Sequence, residues 1–235
     1  MTETAGYLGE LRRWIRRSVR RVHRRWDYLD AYRRDTDLRV QDDPHAAVGG
    51  LWDVIGPLQY DYLIDHGLRP QHRMLDIGCG TLRGGRHFIR YLAPGCYTGL
   101  DISAKAIEYG ERLVRDEGLA HKRPRLLVST DPDLEFAQFS GETFDYVLAQ
   151  SVFTHLSQEH IAQSFEHVGR IMHPASVFFF TYNQADRIRR KTWKGFLYPF
   201  SFFEGLAARH GFRVEAMTDY RHPRGQRMVR MTQRT

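Results

Sequence analysis

Cysteine is nearly absent. Cys79 and Cys96 are the only two in 235 residues, too few for a disulfide framework or a cysteine-based zinc site. Long apolar runs are missing as well. The densest, Val177 to Phe180, is four residues long, against the roughly 20 that a membrane span needs. Near the N-terminus arginines arrive before any apolar stretch, which argues against a cleaved secretory signal. The expected compartment is therefore the cytoplasm. Lysine is scarce: Lys105, Lys122, Lys191 and Lys194 are four of 35 basic residues. With arginine so general, no single arginine stands out merely for not being lysine. What remains is 42% hydrophobic and 27% charged, a globular composition that excludes long disorder.

The net charge of +7 has one source. Between Glu10 and Arg34 stand ten arginines against Glu10, Asp27 and Asp30, so the remainder of the chain sums to zero and has no general pull on polyanions. In this segment Leu8, Leu11, Ile15, Val19, Val22, Trp26 and Leu29 recur at three- or four-residue steps, which predicts an amphipathic helix over residues 8–34. Its rows Arg12, Arg16, Arg20, Arg24 and Arg13, Arg17, Arg21, Arg25 repel at i,i+4. Something must offset that repulsion: packing on the domain, anionic lipid or an acidic partner. An interfacial helix combines these features, and peripheral contact at the inner membrane face is the localisation that would follow. The polar stretch from Arg34 to Asp37 reads as a linker, so the chain divides into residues 1–44, a basic helix and its linker, and residues 45–235, one domain.

In that domain strands and helices alternate. Helices are expected at Leu51 to His66, Leu82 to Leu92, Ser103 to Glu117, Gln158 to Met172 and Phe200 to His210. Strands are expected at His72 to Ile77, Cys96 to Ile102, Arg125 to Val128, Phe144 to Gln150 and Ser176 to Tyr182. This order predicts an α/β fold, a parallel sheet covered on both faces. The last two strands, Phe212 to Met217 and Gln226 to Thr232, have no helix between them and should pair antiparallel.

The first of these strands runs into Gly78-Cys-Gly-Thr-Leu-Arg-Gly. Gly78 and Gly80 allow a sharp turn and close approach of a ligand. The helix that follows aims free N–H groups at it, and this first crossover is where nucleotide-like ligands sit in open α/β sheets. The spacing departs from the G-x-G-x-x-G of dinucleotide sites, because Gly84 comes one residue late. Asp76, inside the strand end, would do nothing for a pyrophosphate but would suit a ligand with a cationic amino-acid end. Asp101 ends the second strand 25 residues after Asp76, near the ~20-residue spacing at which a carboxylate reaches ribose hydroxyls. A bland role as helix cap is open to Asp101, but Ser103 can fill that cap.

Four runs carry a family resemblance: Leu75-Asp-Ile-Gly-Cys-Gly, Gly99-Leu-Asp-Ile-Ser, Phe144-Asp-Tyr-Val-Leu-Ala-Gln-Ser-Val-Phe-Thr-His-Leu and Gly211-Phe-Arg-Val-Glu. In that order they resemble the class I S-adenosylmethionine-dependent methyltransferases, the small-molecule branch called type 11 or type 12. The resemblance covers residues 51–233. It implies a Rossmann-like, seven-stranded, mostly parallel sheet with one antiparallel strand, helices on both faces, and S-adenosyl-L-methionine as cofactor. It places Asp76 at the methionine amino group, Gly78 and Gly80 under the cofactor, and Asp101 at the ribose, with Cys79, Ile102 and Gln150 also expected to bind the cofactor. Ser129 or Asp131, after the third strand, are the candidates for the adenine contact. In this family N-terminal helices often cover the cofactor, which is the bland reading of residues 8–34.

Methyl transfer to an alcohol needs a base. His155, five residues past the fourth strand, is the first candidate, with a purely structural histidine as the alternative. His222, in the turn between the last two strands, is the second, against a solvated turn residue. Tyr182 and Asn183 should also face the pocket. No metal is expected, since the fourth strand ends in no carboxylate cluster. Ala149-Gln150-Ser151-Val152 stands where base-amino methylases carry Asn/Asp-Pro-Pro-Tyr/Phe, and the neutral domain argues against sequence-specific nucleic acid. The expected acceptor is a small hydroxylated molecule, such as a sugar of a glycan, a glycolipid or a natural product. Two rival functions reuse the same residues: a nicotinamide-dependent oxidoreductase, and a non-catalytic adaptor working through the arginine-rich helix.

Overall fold

A computed structural model of the chain describes residues 28–129 and 134–234. The arginine-rich residues 8–27 and Asp131 lie outside the described residues. Residues 28–42 are helical (α1). The helix thus runs straight through the Arg34–Asp37 stretch expected to be a linker. No glycine or proline interrupts it there, and its side chains have partners: Leu29 and Val40 are buried, and Asp37 Oδ1 accepts from Ser103 Oγ at 2.6 Å. The break comes at Asp43, which caps the short helix α2 (Pro44–Ala47) by accepting from the amides of His45 and Ala46. Pro44 fits that first helical position because it has no N–H to satisfy.

Six α/β elements follow: α3 (Trp52–Asp65), β1 (Met74–Ile77), α4 (Gly85–Tyr91), β2 (Tyr97–Asp101), α5 (Ala104–Asp116) and β3 (Arg125–Val128). Then come β4 (Phe144–Ala149), α6 (Gln158–His167), β5 (Met172–Tyr182), β6 (Arg189–Thr192), β7 (Gly195–Leu197), α7 (Phe200–Arg209), β8 (Phe212–Met217) and β9 (Arg227–Gln233). Seven strands form one sheet in the order β3-β2-β1-β4-β5-β9-β8. The first five are parallel, and β9 inserts antiparallel between β5 and β8.

The alternation of side chains across the strands divides the core in two. Met74, Leu148, Phe179 and Met228 face the layer of α3, α4 and α5. Leu75, Val147, Phe178, Phe180 and Met231 face α6 and α7. On the second side Phe153, Phe165, Phe180 and Phe203 form a ring cluster with centroids 4.7 to 6.4 Å apart, the spacing of favourable aromatic pairs.

Two boundaries and one element differ from the sequence reading for identifiable reasons. The helix expected to start at Leu82 starts at Gly85, because Leu82 takes a left-handed φ of 65°. The helix expected to reach Met172 is α-helical to His167 and tightens to a 3₁₀ turn through Ile171, but β5, expected from Ser176, begins at Met172; Pro174 holds its predecessor in extended backbone, and the register shifts between Phe144 and Tyr146 opposite. The small antiparallel hairpin β6–β7 was not foreseen at all. Its polar, cationic strand Arg189–Thr192 is wholly exposed and shows no period-2 apolar pattern to read.

Phe180 is completely buried. Phe180→Ala should therefore lower unfolding free energy by about 3–5 kcal/mol, measured as a shifted urea midpoint with unchanged slope.

Candidate active site

The cleft opens at the carboxyl ends of β1 to β4, the side on which open α/β sheets take ligands. It has a volume of ≈ 340 Å³ and is walled by the glycine loop after β1, the ends of β2 and β3, the segment after β4, the β8–β9 turn and α1. The loop is set by glycines in the left-handed region, φ 69° at Gly78 and 55° at Gly80. A Cβ on Gly78 would meet Val152 Cγ2 at 2.4 Å, and one on Gly80 would meet Val48 Cγ1 at 2.5 Å. Both positions thus exclude a side chain on two independent grounds.

Asp101 fastens this loop. Its Oδ2 accepts from the Gly80 amide and its Oδ1 from the Ser103 amide, each at 2.8 Å. Each carboxylate oxygen keeps a second lone pair, and Asp101 borders the cleft. Burial raises its pKa, against the lowering effect of those N–H bonds. Ser103 caps α5 by accepting from Ala106 N, so the cap and the cleft carboxylate are different residues, as the spacing suggested.

Asp76 is buried, and Tyr97 donates its hydroxyl to Oδ2 at 2.8 Å. Desolvation pushes its pKa up to about 7; a cation arriving beside it would restore the ionised form. Cys79, Ile102 and Ser129 also border the cleft. Gln150 does too, but its amide is consumed within the protein. Its Oε1 accepts from the Tyr220 hydroxyl at 2.8 Å, and its Nε2 donates to Ser151 Oγ and Gln226 Oε1 at 3.2 Å. Gln150 thus braces the floor rather than offering itself to a ligand.

The two histidines differ. His155 Nδ1 lies 2.5 Å from the Lys194 carbonyl. A carbonyl only accepts, so Nδ1 carries the proton and Nε2 bears the free lone pair. Burial lowers the pKa, so the ring stays neutral near pH 7. Tyr28 donates to the His155 carbonyl, and the Tyr32 ring stands 5.3 Å away. In His222 the polarity is reversed. Nδ1 accepts from the Arg224 amide at 3.2 Å, which leaves Nε2 protonated, buried and unpartnered. Burial, with Arg83 and Arg224 close by, lowers its pKa to about 4. His222 is therefore a hydrogen-bond donor and not the second base that the sequence suggested. Tyr182 and Asn183 are displaced as well. Tyr182 packs on Phe203 at 4.8 Å, and Asn183 Nδ2 donates to Phe196 O at 3.4 Å.

Arg83 was missed in the sequence. Its Nη1 donates to the carbonyls of Val48 and Gly50 at 2.7 and 3.0 Å, while Nε is buried without a partner. Burial lowers its pKa to about 10, so it remains a cation on the cleft wall beside His222. Its place three residues beyond Gly80 was the available signal, hidden by the general abundance of arginine.

Residues 75–178 match a family model described as a methyltransferase domain, Methyltransf_12. An uncharacterized protein of Rickettsia prowazekii is 26% identical over 111 residues, 47% of this chain and 42% of that protein. A fatty-acid O-methyltransferase of Mycolicibacterium smegmatis is 26% identical over 113 residues, 46% of this chain and 36% of that enzyme. The matches thus span less than half the length of these curated relatives. Magnesium protoporphyrin IX methyltransferase from Synechocystis PCC 6803, solved with bound SAH, superposes with a TM-score of 0.65 at 14% identity over 88% of this chain and 100% of that one. Residues 75–178 thus match a methyltransferase-domain model, and the described chain has the fold of a methyltransferase solved with bound SAH. The antiparallel β9 between β5 and β8 agrees with that fold and departs from the 3-2-1-4-5-6 order of dinucleotide-binding sheets, which counts against the oxidoreductase reading.

Asp76 generates a stability prediction. A carboxyl whose folded pKa lies above its unfolded one contributes stability fully present below about pH 4, and loses it as pH rises through about 7. Asp76→Asn keeps an acceptor for Tyr97 and never ionises. The ligand-free variant should therefore gain stability over the wild type progressively from pH 4 to pH 8, read from urea midpoints across that range.

Proposed function

We propose that this protein transfers the methyl group of S-adenosyl-L-methionine to a hydroxyl of a small acceptor, such as a sugar of a glycan or glycolipid, or a natural product. The observation that carries the reading is His155, a neutral imidazole whose Nδ1–H is fixed on the Lys194 carbonyl, in the same cleft as the glycine loop.

The residues fit the cofactor, and the buried, unpartnered N–H groups of Arg83 and His222 are the observation that tests the fit. Donors arranged beside Gly78 and Gly80 suit the carboxylate of an amino acid. Asp76 would take its ammonium group, Asp101 the two ribose hydroxyls, and Ile102 and Ser129 the neighbouring base. When bound, S-adenosylmethionine supplies an electrophilic methyl on a sulfonium. The protein's part is alignment, exclusion of water and removal of one proton. His155 Nε2 would accept the proton of the acceptor hydroxyl. Leu29 and Tyr32 from α1, with Leu134, Val152 and Leu156, give that end of the cleft an apolar wall that keeps water away from the reacting atoms. The Mycolicibacterium relative is named for O-methylation, which supports oxygen as the acceptor atom. On this reading α1 is part of the acceptor site.

Incubation with labelled S-adenosylmethionine and fractionated cell extract tests the assignment, with label expected in an ether-linked product. His155→Ala should lower turnover about 10²–10⁴-fold and leave cofactor affinity within a few-fold. The wild-type rate should fall on the acid side only below the ordinary histidine range, because burial lowers the His155 pKa. Near-normal turnover of the alanine variant, or label in an ester, would point to a carboxylate acceptor that needs no base. Asp101→Ala should weaken cofactor binding at least tenfold, since charge-assisted hydrogen bonds contribute about 1.5–3 kcal/mol each. It should also destabilise the ligand-free protein, because Gly80 N–H and Ser103 N–H lose their acceptor.

A further inference from the structure

The hairpin β6–β7 has a feature that the methyl-transfer chemistry does not use. Residues 186–193 are exposed without interruption. They carry two large apolar side chains, Ile188 at 40% exposure and Trp193 at 46%, interleaved with Arg187, Arg189, Arg190 and Lys191. The cations divide into two sets. Arg190 lies over the rings of Tyr28 and Phe196 at 5.8 and 5.6 Å, and Lys194, in the turn, pairs with Asp35; these fasten the turn end of the hairpin to α1. The side chains of Arg187, Arg189 and Lys191 have no ion pair or hydrogen bond among the described residues. The fastened hairpin therefore exposes three cations without a partner among the described residues, together with an indole and an aliphatic chain.

We propose that this hairpin docks on an anionic lipid surface. Tryptophan with an aliphatic neighbour enters the headgroup boundary, and flanking cations meet lipid phosphates; this combination defines interfacial segments. A nucleic acid would use the cations and could stack on Trp193, but it offers nothing to an exposed Ile188. Two placements support the same face. Tyr28 of α1 stands 6.5 Å from Trp193, so an aromatic pair extends the apolar part of this face. Lys194 and His155 border the cleft, so a docked hairpin brings the acceptor end of the cleft to the membrane. The proposal rests on the hairpin and stands whether or not the acceptor is a hydroxyl.

Co-sedimentation of the full chain with vesicles tests it. The wild type should bind phosphatidylcholine vesicles containing phosphatidylglycerol and ignore phosphatidylcholine alone. Replacing Arg187, Arg189 and Lys191 together by Ser should weaken that binding about 100-fold, since each cation near an anionic surface contributes roughly a factor of five. Ile188→Ser with Trp193→Ser should abolish the part of the binding that survives in 1 M salt, where screening has shortened to ~3 Å. None of these residues borders the cleft, so S-adenosylhomocysteine affinity should be unchanged and certifies the fold. Should a variant fail that control, the wild type still decides: hydrogen exchange at 187–193 must slow when anionic vesicles are added. The proposal is overturned by vesicle binding that neither set of changes reduces, by unaltered exchange in the hairpin, or by a wild type that ignores vesicles but binds a single-stranded oligonucleotide through the same cations.

Discussion

The carboxylate of Asp101 organises the cleft. It stands at the end of β2 and receives two amides from two different loops, Gly80 N–H after β1 and Ser103 N–H before α5. Without that acceptor, two buried donors would be left unpaired, and each such loss costs about 1–3 kcal/mol. The bonds hold the glycine loop against the sheet while sparing one lone pair on each oxygen. A single side chain therefore builds the floor of the site and remains available on its surface. The parallel register of β1 and β2, with Asp76 opposite Gly99, brings the two carboxylates Asp76 and Asp101 into one cleft.

From that anchor the charges in the cleft sort themselves. Asp76, desolvated and bonded to Tyr97, is a poor place for a lone negative charge and a good one for a cation. Arg83 and His222 form the opposite pole, with buried N–H groups that lack acceptors. A zwitterionic amino-acid end satisfies both poles at once. His155 lies on the far wall with the opposite tautomeric polarity to His222, one ring presenting a lone pair and the other an N–H. This difference comes from what each Nδ1 touches, a carbonyl in one case and an amide in the other.

The contrast between sequence and structure follows the same physics. The strands of the main sheet and the glycine loop were legible because buried strands leave apolar runs and left-handed turns demand glycine, as at Gly78 and Gly80. Asp76 and Asp101 were legible from their offsets to those glycines. The role of Gln150 was not, because its partners Tyr220 and Gln226 are set by tertiary contact across 70 or more residues; that of His222 was not, because its burial depends on how the turn packs, although the bond from the Arg224 amide is local. Arg83 was masked by the abundance of arginine. The β6–β7 hairpin was invisible because an exposed cationic strand carries no alternation. The linker expected at Arg34–Asp37 failed because polar residues were read as a break, whereas Asp35 and Asp37 are the contacts that hold α1 in place.

One titration tests the central claim, that this cleft is built for an adenosyl amino acid. Calorimetry of the full chain with S-adenosylhomocysteine should show one site per chain, and the same protein titrated with NAD should show no heat of binding. Absence of S-adenosylhomocysteine binding, or equal binding of NAD, would contradict the account.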